Sequence, residues 1–395
     1  MKARPKKRHV ALLVESSRNY IRELLLGVAK FVRVHGLWSV EFQEGISTET
    51  LPPWFAGRKW DGIIAEVSTS SIARSLKDCS FPVVDVNGDA PESNFPVVRS
   101  DDVLIGRMAA EHLISRGFRR FAFCGFKEAA WSDLRRTGFE RRVAEAGFGV
   151  QVFDNADSWR KHAEPQSDSP GRSSEQTLRN WVRSLPKPVG VMACNDERGW
   201  QVLGCCLELN VTVPEELAVI GVDNDEIFCE LSRIPLSSVI LNARQIGYEA
   251  AALLEQLMAG KTLAEPTLKL NPVTVAERRS TDALAIEDPR LMTATRLIRE
   301  HACEGLDVNS LLKKIPMSRR VLERQFVKLL GRTPKAEILR VRLDRVRQLL
   351  SESDLKLSVV ADKAGFHNPE HMCRLFKKKY GITPGEYRIR TTLDR

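Results

Sequence analysis

The chain opens with a long stretch in which short apolar runs alternate with segments of helical period. Runs at 9–14, 39–42, 62–65, 83–86, 121–124, 149–153, 189–193 and 217–222 are rich in β-branched and aromatic residues. Several are apolar without a break, as a strand buried on both faces must be. Between them, 23–34, 107–116 and 134–146 space apolar residues three and four apart, along one helix face. Strands separated by helices predict parallel sheets covered on both sides. The stretch 8–282 is long enough for two such units, so the expected body is α/β with two doubly wound lobes.

The pattern changes near residue 286, after which the period is helical. In 319–330, Leu322, Phe326, Leu329 and Leu330 fall on one side, with Arg320, Arg324 and Lys328 opposite. In the helix starting at Pro369, Met372, Leu375, Phe376 and Tyr380 face one way, and Glu370, His371, Arg374 and Lys378 the other. Ser318 is placed to cap the first helix, with Met317 packing on Leu322 as a staple. Asn368 is placed to cap the second, with Pro369 at the first position, where no N–H is needed. Gly365 turns the chain before that helix, and Gly381 suits a left-handed cap after it. The reading is an all-α C-terminal domain with two helix-turn-helix units, joined by a helix over 334–351. Such a helix spans roughly 27 Å at about 1.5 Å per residue, close to one DNA turn of about 34 Å.

An apolar face inward and a basic face outward suit a helix that enters the major groove. The candidate DNA contacts are Ser318, Arg319, Arg320, Arg324 and Lys328 in the first unit. In the second they are Asn368, Glu370, His371, Arg374, Lys377 and Lys378. The charge distribution agrees. From Ile286 onward there are 24 Lys+Arg and 14 Asp+Glu, a net of +10, whereas the whole chain carries +9. The first 285 residues are therefore close to neutral, at −1. Polyanion binding belongs to the C-terminus, and double-stranded DNA is the expected partner.

Other chemistries find little support. The apolar run behind the basic first eight residues is too short for a signal peptide, and no stretch has transmembrane length. The chain is expected to be cytoplasmic and not membrane-bound, with a basic N-terminal tail. The eight cysteines include no Cys-x-x-Cys pair, so they read as small apolar residues in a reducing compartment. His367-Asn368-Pro369-Glu370-His371 matches an inverted zinc-peptidase motif. A helix starting at Pro369 would leave His367 outside it, so the two rings diverge and no metal is expected. Hydrolase and nucleotide-binding motifs do not occur. No cofactor is expected, and an enzyme is disfavoured. The stretch 162–174 reads as a surface loop, and 279–287 as the link between a body at 1–282 and a DNA reader at 286–395.

The segment from Ile286 resembles AraC-type DNA-binding domains. The resemblance rests on Ala361-x-x-x-Gly365-Phe366, on Phe376-Lys377-Lys378, and on Gly381-x-Thr383-Pro384-x-x-Tyr387-Arg388. His371 and Met372 stand where that family usually has aromatics. The body resembles LacI/GalR-type ligand-binding domains, which are periplasmic-binding-protein-like. It does so through Val98-Arg99-Ser100-Asp101, Gly106-x-x-Ala109-Ala110-x-His112, Arg135-x-x-Gly138-Phe139, Ala193-Cys194-Asn195-Asp196 and Pro214-x-x-Leu217-x-Val219-Ile220-Gly221-x-Asp223. The joined order is similar to that of bacterial xylose operon regulators. So are Tyr20-x-Arg22, Leu236-Ser237-Ser238-Val239, Ala243-Arg244-Gln245-x-Gly247-Tyr248 and Glu277-Arg278-Arg279-Ser280-Thr281-Asp282.

In doubly wound sheets, ligands bind beyond the carboxyl ends of strands. That rule selects Arg22, Glu66, Asn195, Asp196 and Asp223, each just after a candidate strand. Carboxylates, amides and guanidiniums together can match the hydroxyls of a polyol. The resemblance adds Tyr20, Asp101 and Arg135. It implies a sugar-responsive transcription regulator: a homodimer that contacts RNA polymerase and senses a small neutral monosaccharide, D-xylose first, to activate pentose catabolic genes. The alternatives are a regulator sensing another small metabolite, or an α/β enzyme tethered to DNA.

Overall fold

The computed structural model describes residues 7–16, 18–36, 38–42, 51, 53–55, 57–90, 93–127, 129–153, 171–261, 266–282, 286, 288–353 and 355–393. They form two compact units, Met1–Ala283 and Leu284–Arg395.

The first unit holds twelve described strands: β1 (Arg8–Leu13), β2 (Trp38–Phe42), β3 (Gly62–Ala65), β4 (Val83–Asp85), β5 (Val97–Ser100), β6 (Phe121–Cys124), β7 (Val150–Val152), β8 (Val189–Ala193), β9 (Leu217–Val222), β10 (Ser237–Ile240), β11 (Thr267–Leu270) and β12 (Thr274–Ala276). They make two six-stranded sheets, ordered β11-β5-β4-β3-β1-β2 and β12-β10-β9-β8-β6-β7. Every pairing is parallel except β10 with β12. The chain passes between the lobes after β5, after β10 and after β11. The α/β class with two doubly wound lobes is therefore correct. Apolar side chains on both faces of β1, β3 and β4 fill two separate cores, one including Val10, Leu12 and Ile64, the other Ala11, Ile63 and Ala65.

Four strands were missed: β5, β10, β11 and β12. Each is only three or four residues long, and β11 is mostly exposed. The edge strands β11 and β12 bury too little to leave an apolar run in the sequence, while β5 and β10 lie inside their sheets but break their apolar runs with Arg99 and Ser100, and with Ser237 and Ser238.

The helices Asp102–Ser115 and Ala130–Glu145 pack at very short range. A Cβ on Gly106 would lie 1.9 Å from the Arg135 carbonyl oxygen, and one on Gly138 would lie 1.9 Å from that of Val103. Only glycine at both positions lets the helices Asp102–Ser115 and Ala130–Glu145 approach so closely. That approach sets Arg135 beside Asp102.

Two readings of connecting segments need revision. Residues 162–170 of the expected loop lie outside the described residues, and the chain from Gly171 is helical to Ser184. The expected link at 279–287 begins too early. Ser280 and Thr281 are 0% exposed inside the body, and Ile286 is 3% exposed in the core of the second unit. Polar Arg-Ser-Thr composition suggested a loop, but the two hydroxyls are hydrogen-bonded there instead.

The second unit is all helical. Its two cores are bridged by the helix Pro334–Glu352, which gives Ile338 and Val341 to one, and Leu343, Val346 and Leu350 to the other.

Candidate ligand cleft and nucleic-acid interface

The carboxyl ends of β1, β3, β4, β8 and β9 open on a cleft between the two lobes of the body. The cleft holds about 570 Å³ of empty space, open solvent included. It is lined by Arg18, Tyr20, Ile21, Glu66, Val86, Asn87, Arg99, Ser100, Asp102, Trp131, Arg135, Asn195 and Asp223.

Charged groups alternate along one wall. Arg99 Nη2 donates to Asp102 Oδ2 at 2.8 Å, and Arg135 Nε to Asp102 Oδ1 at 2.9 Å. Arg135 Nη2 lies 3.5 Å from Asp223 Oδ1. Arg135 Nη1 donates to the Cys194 carbonyl at 2.6 Å, and the guanidinium lies over the Trp131 ring, 4.9 Å from its centroid. On the opposite wall Arg18 Nη2 donates to Glu66 Oε1 at 2.9 Å. Burial pushes the Asp223 carboxyl up to about 6, against the pull of Arg135 and Arg18. Burial also works against the Arg135 charge, but Asp223 and Asp102 outweigh it and hold the guanidinium more firmly protonated than usual. Burial raises the Tyr20 hydroxyl as well, so it stays a donor.

Three guanidiniums face three carboxylates here, so the lining has no net charge. Glu66 Oε2 is buried without a hydrogen-bond partner among the described residues. Leaving such an acceptor unmatched costs about 1–3 kcal/mol. The arrangement suits a neutral ligand whose hydroxyls both donate and accept.

Of the eight residues chosen from sequence, Tyr20, Glu66, Arg135, Asn195 and Asp223 line the cleft. Arg22, Asp101 and Asp196 do not. Arg22 is exposed one turn further along its helix and donates to the Ser16 carbonyl at 3.2 Å; Arg18 takes the place in the cleft. Asp101 is the N-cap of the helix Asp102–Ser115, its Oδ1 accepting from Leu104 N at 2.9 Å, and its neighbour Asp102 faces the cleft. Asp196 is 1% exposed behind β9, and its Oδ2 accepts from Asp225 N at 2.7 Å. Burial, then the nearby Asp223 charge, raises its carboxyl well above the usual range. Sequence reasoning also missed Arg18, Asn87, Arg99, Ser100, Asp102 and Trp131. The strand-end rule reaches Asn87, two residues beyond β4. Arg99 and Ser100 stood within a motif already singled out.

In the second unit, Ser318 caps the helix Arg319–Leu330, its Oγ accepting from Val321 N at 3.4 Å. Leu322 and Phe326 are buried, while Ser318, Arg319, Arg320, Arg324 and Lys328 are exposed. Arg319 Nε donates to Glu323 at 3.0 Å. Asn368 Oδ1 accepts from both Glu370 N and His371 N, at 2.7 and 3.2 Å, and caps the helix Pro369–Tyr380. Met372 and Phe376 are buried; Asn368, Glu370, His371, Arg374, Lys377 and Lys378 are exposed. Arg374 Nη2 lies 2.9 Å from His371 Nδ1, so these two present a joined polar surface. Each recognition helix thus shows its basic face outward and its apolar face to its own core.

The family model for a periplasmic binding protein-like domain matches residues 110–281, and that for a helix-turn-helix domain matches residues 311–390. The xylose operon regulatory protein of Escherichia coli K12 is 33% identical over 393 residues, covering 97% of each chain. The chain belongs to the xylose operon regulatory protein family. The protein of that name from Haemophilus influenzae is 28% identical over 390 residues, 96% of this chain and 98% of that one. Among solved structures, the xylose-binding transcription activator xylR matches with a TM-score of 0.76 at 30% identity, over 97% of this chain and 98% of that one. A LacI family regulator from Enterococcus faecium, solved with bound ribose, matches 71% of this chain at 18% identity with a TM-score of 0.56, which shows a shared fold. Membership in this family makes the chain a DNA-binding transcription regulator. No described helix is long and apolar enough to cross a membrane.

Proposed function

We propose that this regulator takes D-xylose in the cleft and, with the sugar bound, activates transcription of pentose catabolic genes. The observation that carries the effector class is the balanced lining: three guanidiniums, three carboxylates and an unmatched Glu66 oxygen. A phosphorylated sugar would bring two negative charges that the paired guanidiniums do not offset. The names of the full-length relatives favour xylose among neutral sugars, and the name of the solved activator favours activation. The working form is a cytoplasmic homodimer that contacts RNA polymerase, with its boundaries at 1–282 and 286–395. Hydroxyls of the sugar bridge Glu66, Arg18, Arg135, Asn195 and Asp223, and drawing both lobes onto one ligand favours their closed arrangement. No enzymatic step is assigned, since the full-length relatives are named as regulators.

Calorimetry of the full chain with D-xylose, D-ribose, L-arabinose, D-glucose and D-xylose 5-phosphate tests this reading. Xylose is expected to bind at least tenfold tighter than the others and to be recovered unchanged. Arg18→Ala should weaken it at least tenfold, while Arg22→Ala leaves it within twofold. Preference for the phosphate ester, or turnover of the sugar, would overturn the proposal.

A further inference from the structure

The helix Asp102–Ser115 has its two ends in different places. Its first residue, Asp102, is held in the cleft by Arg99 and Arg135. Near its far end, about 21 Å away for fourteen residues, His112 and Arg116 hold the chain where it leaves the body. His112 Nε2 is 2.8 Å from Thr281 Oγ1, and Arg116 Nε donates to the Thr281 carbonyl at 2.7 Å.

The bonds run in one direction. The Thr281 hydroxyl donates to Ser237 Oγ at 2.7 Å, and Ser237 Oγ donates to the Arg278 carbonyl at 2.9 Å. Thr281 Oγ1 must therefore receive its bond from His112 Nε2–H. The other ring nitrogen, Nδ1, lies 3.1 Å from Arg116 Nη1 and accepts from it. Only a neutral imidazole satisfies both neighbours. Burial, reinforced by Arg116 and opposed by Glu277, lowers this histidine to about 4. Ser280 adds a second anchor: its Oγ donates to the Val219 carbonyl at 2.6 Å and accepts from Ser237 N at 2.8 Å. Five residues after Thr281, Ile286 is already in the core of the DNA-binding unit. These bonds tie the chain end to the second lobe.

We infer that the helix Asp102–Ser115 carries the effector signal from the cleft to the outgoing chain, with His112 and Arg116 as positioning residues that grip Thr281. The inference rests on the sugar-responsive reading above. Neither residue lines the cleft, so the grip acts on coupling and not on sugar affinity.

The test uses the full chain, D-xylose, and a DNA duplex selected in vitro by the wild-type protein. Sugar affinity is measured by calorimetry, and DNA affinity with and without saturating xylose. In wild type the sugar is expected to change DNA affinity by at least fivefold, the low end of ordinary allosteric couplings. Thr281→Val and His112→Ala should bring that factor within twofold of one, while xylose affinity stays within twofold. His112→Gln, which can still donate to Thr281, should keep the wild-type factor. Arg116→Gln, at the edge of the network, serves if a buried variant does not fold, and should likewise lower the factor at least twofold. A wild-type factor above fivefold that these variants retain removes the grip alone. A wild-type factor of one removes the sugar-responsive reading, and the grip with it.

Discussion

Asp223 combines two unfavourable features at one position. Its φ of 101° is a left-handed backbone that non-glycine residues rarely adopt, and Asn224 follows at 51°. Such conformations cost about 1–3 kcal/mol each and persist where the surroundings hold them. Here Asp223 N donates to the Val239 carbonyl at 3.1 Å and Asn224 N to Ser238 Oγ at 2.9 Å, which fixes the turn and aims the carboxylate at Arg135. With its carboxyl pushed up to about 6 by burial, Asp223 is partly protonated in mildly acidic solution. A sugar hydroxyl that donates to it favours the ionised form, so binding releases a proton. Xylose affinity should therefore fall as pH drops from 7 to 5 and be flat above 7; calorimetry in buffers of different ionisation heat would register the proton. Asp223→Asn should lose this pH dependence, and affinity at pH 7 should fall by about 1–3 kcal/mol. A wild-type affinity constant from pH 5 to 8 would exclude Asp223 as a hydroxyl acceptor. This residue was legible from sequence because it directly follows a fully apolar strand. Arg22 was misplaced because the strand-end rule gives a level and not a direction, and Asp101 because the resemblance does not say which of two adjacent aspartates turns into the cleft. One residue decides between a helix cap and a cleft wall, and four residues of helix shift a side chain by about 6 Å.

Among the elements, the recognition helices were the easiest to read, because their limits are set by local chemistry. Ser318, Asn368, Pro369 and Gly381 occupy the cap positions their side chains and backbone favour, and both helices have the predicted bounds at their starts. The pairing of Gly106 with Gly138 was present in the motifs, but its meaning depended on which helices meet, which no local signal reveals. Gly138→Ala tests that meaning. The added Cβ would meet the Val103 backbone, which cannot rotate away, so the helices must separate. Overpacking of this kind costs about 1–3 kcal/mol. Chemical denaturation should register that loss, and calorimetry should show weaker xylose binding as Arg135 is drawn from Asp102. Unchanged stability together with unchanged xylose affinity would mean the close approach is not required.

For the molecule as a whole, the division of charge is the most informative feature. A near-neutral body and a basic C-terminal unit separate sensing from DNA binding along one chain, and the family relationship gives that division its regulatory sense. The helix Pro334–Glu352 bridges both cores of the reader, so the two helix-turn-helix units are held by one element. Sugar control then requires the two units of the chain to be thermodynamically linked. Linkage is reciprocal: whatever factor xylose imposes on DNA affinity, DNA must impose on xylose affinity. The direct measurement is a calorimetric titration of the full chain with D-xylose, with and without saturating amounts of its selected DNA duplex, beside DNA binding measured with and without xylose. The account predicts the same factor from both directions, at least fivefold. Xylose affinity unchanged by DNA, with DNA affinity unchanged by xylose, would contradict it.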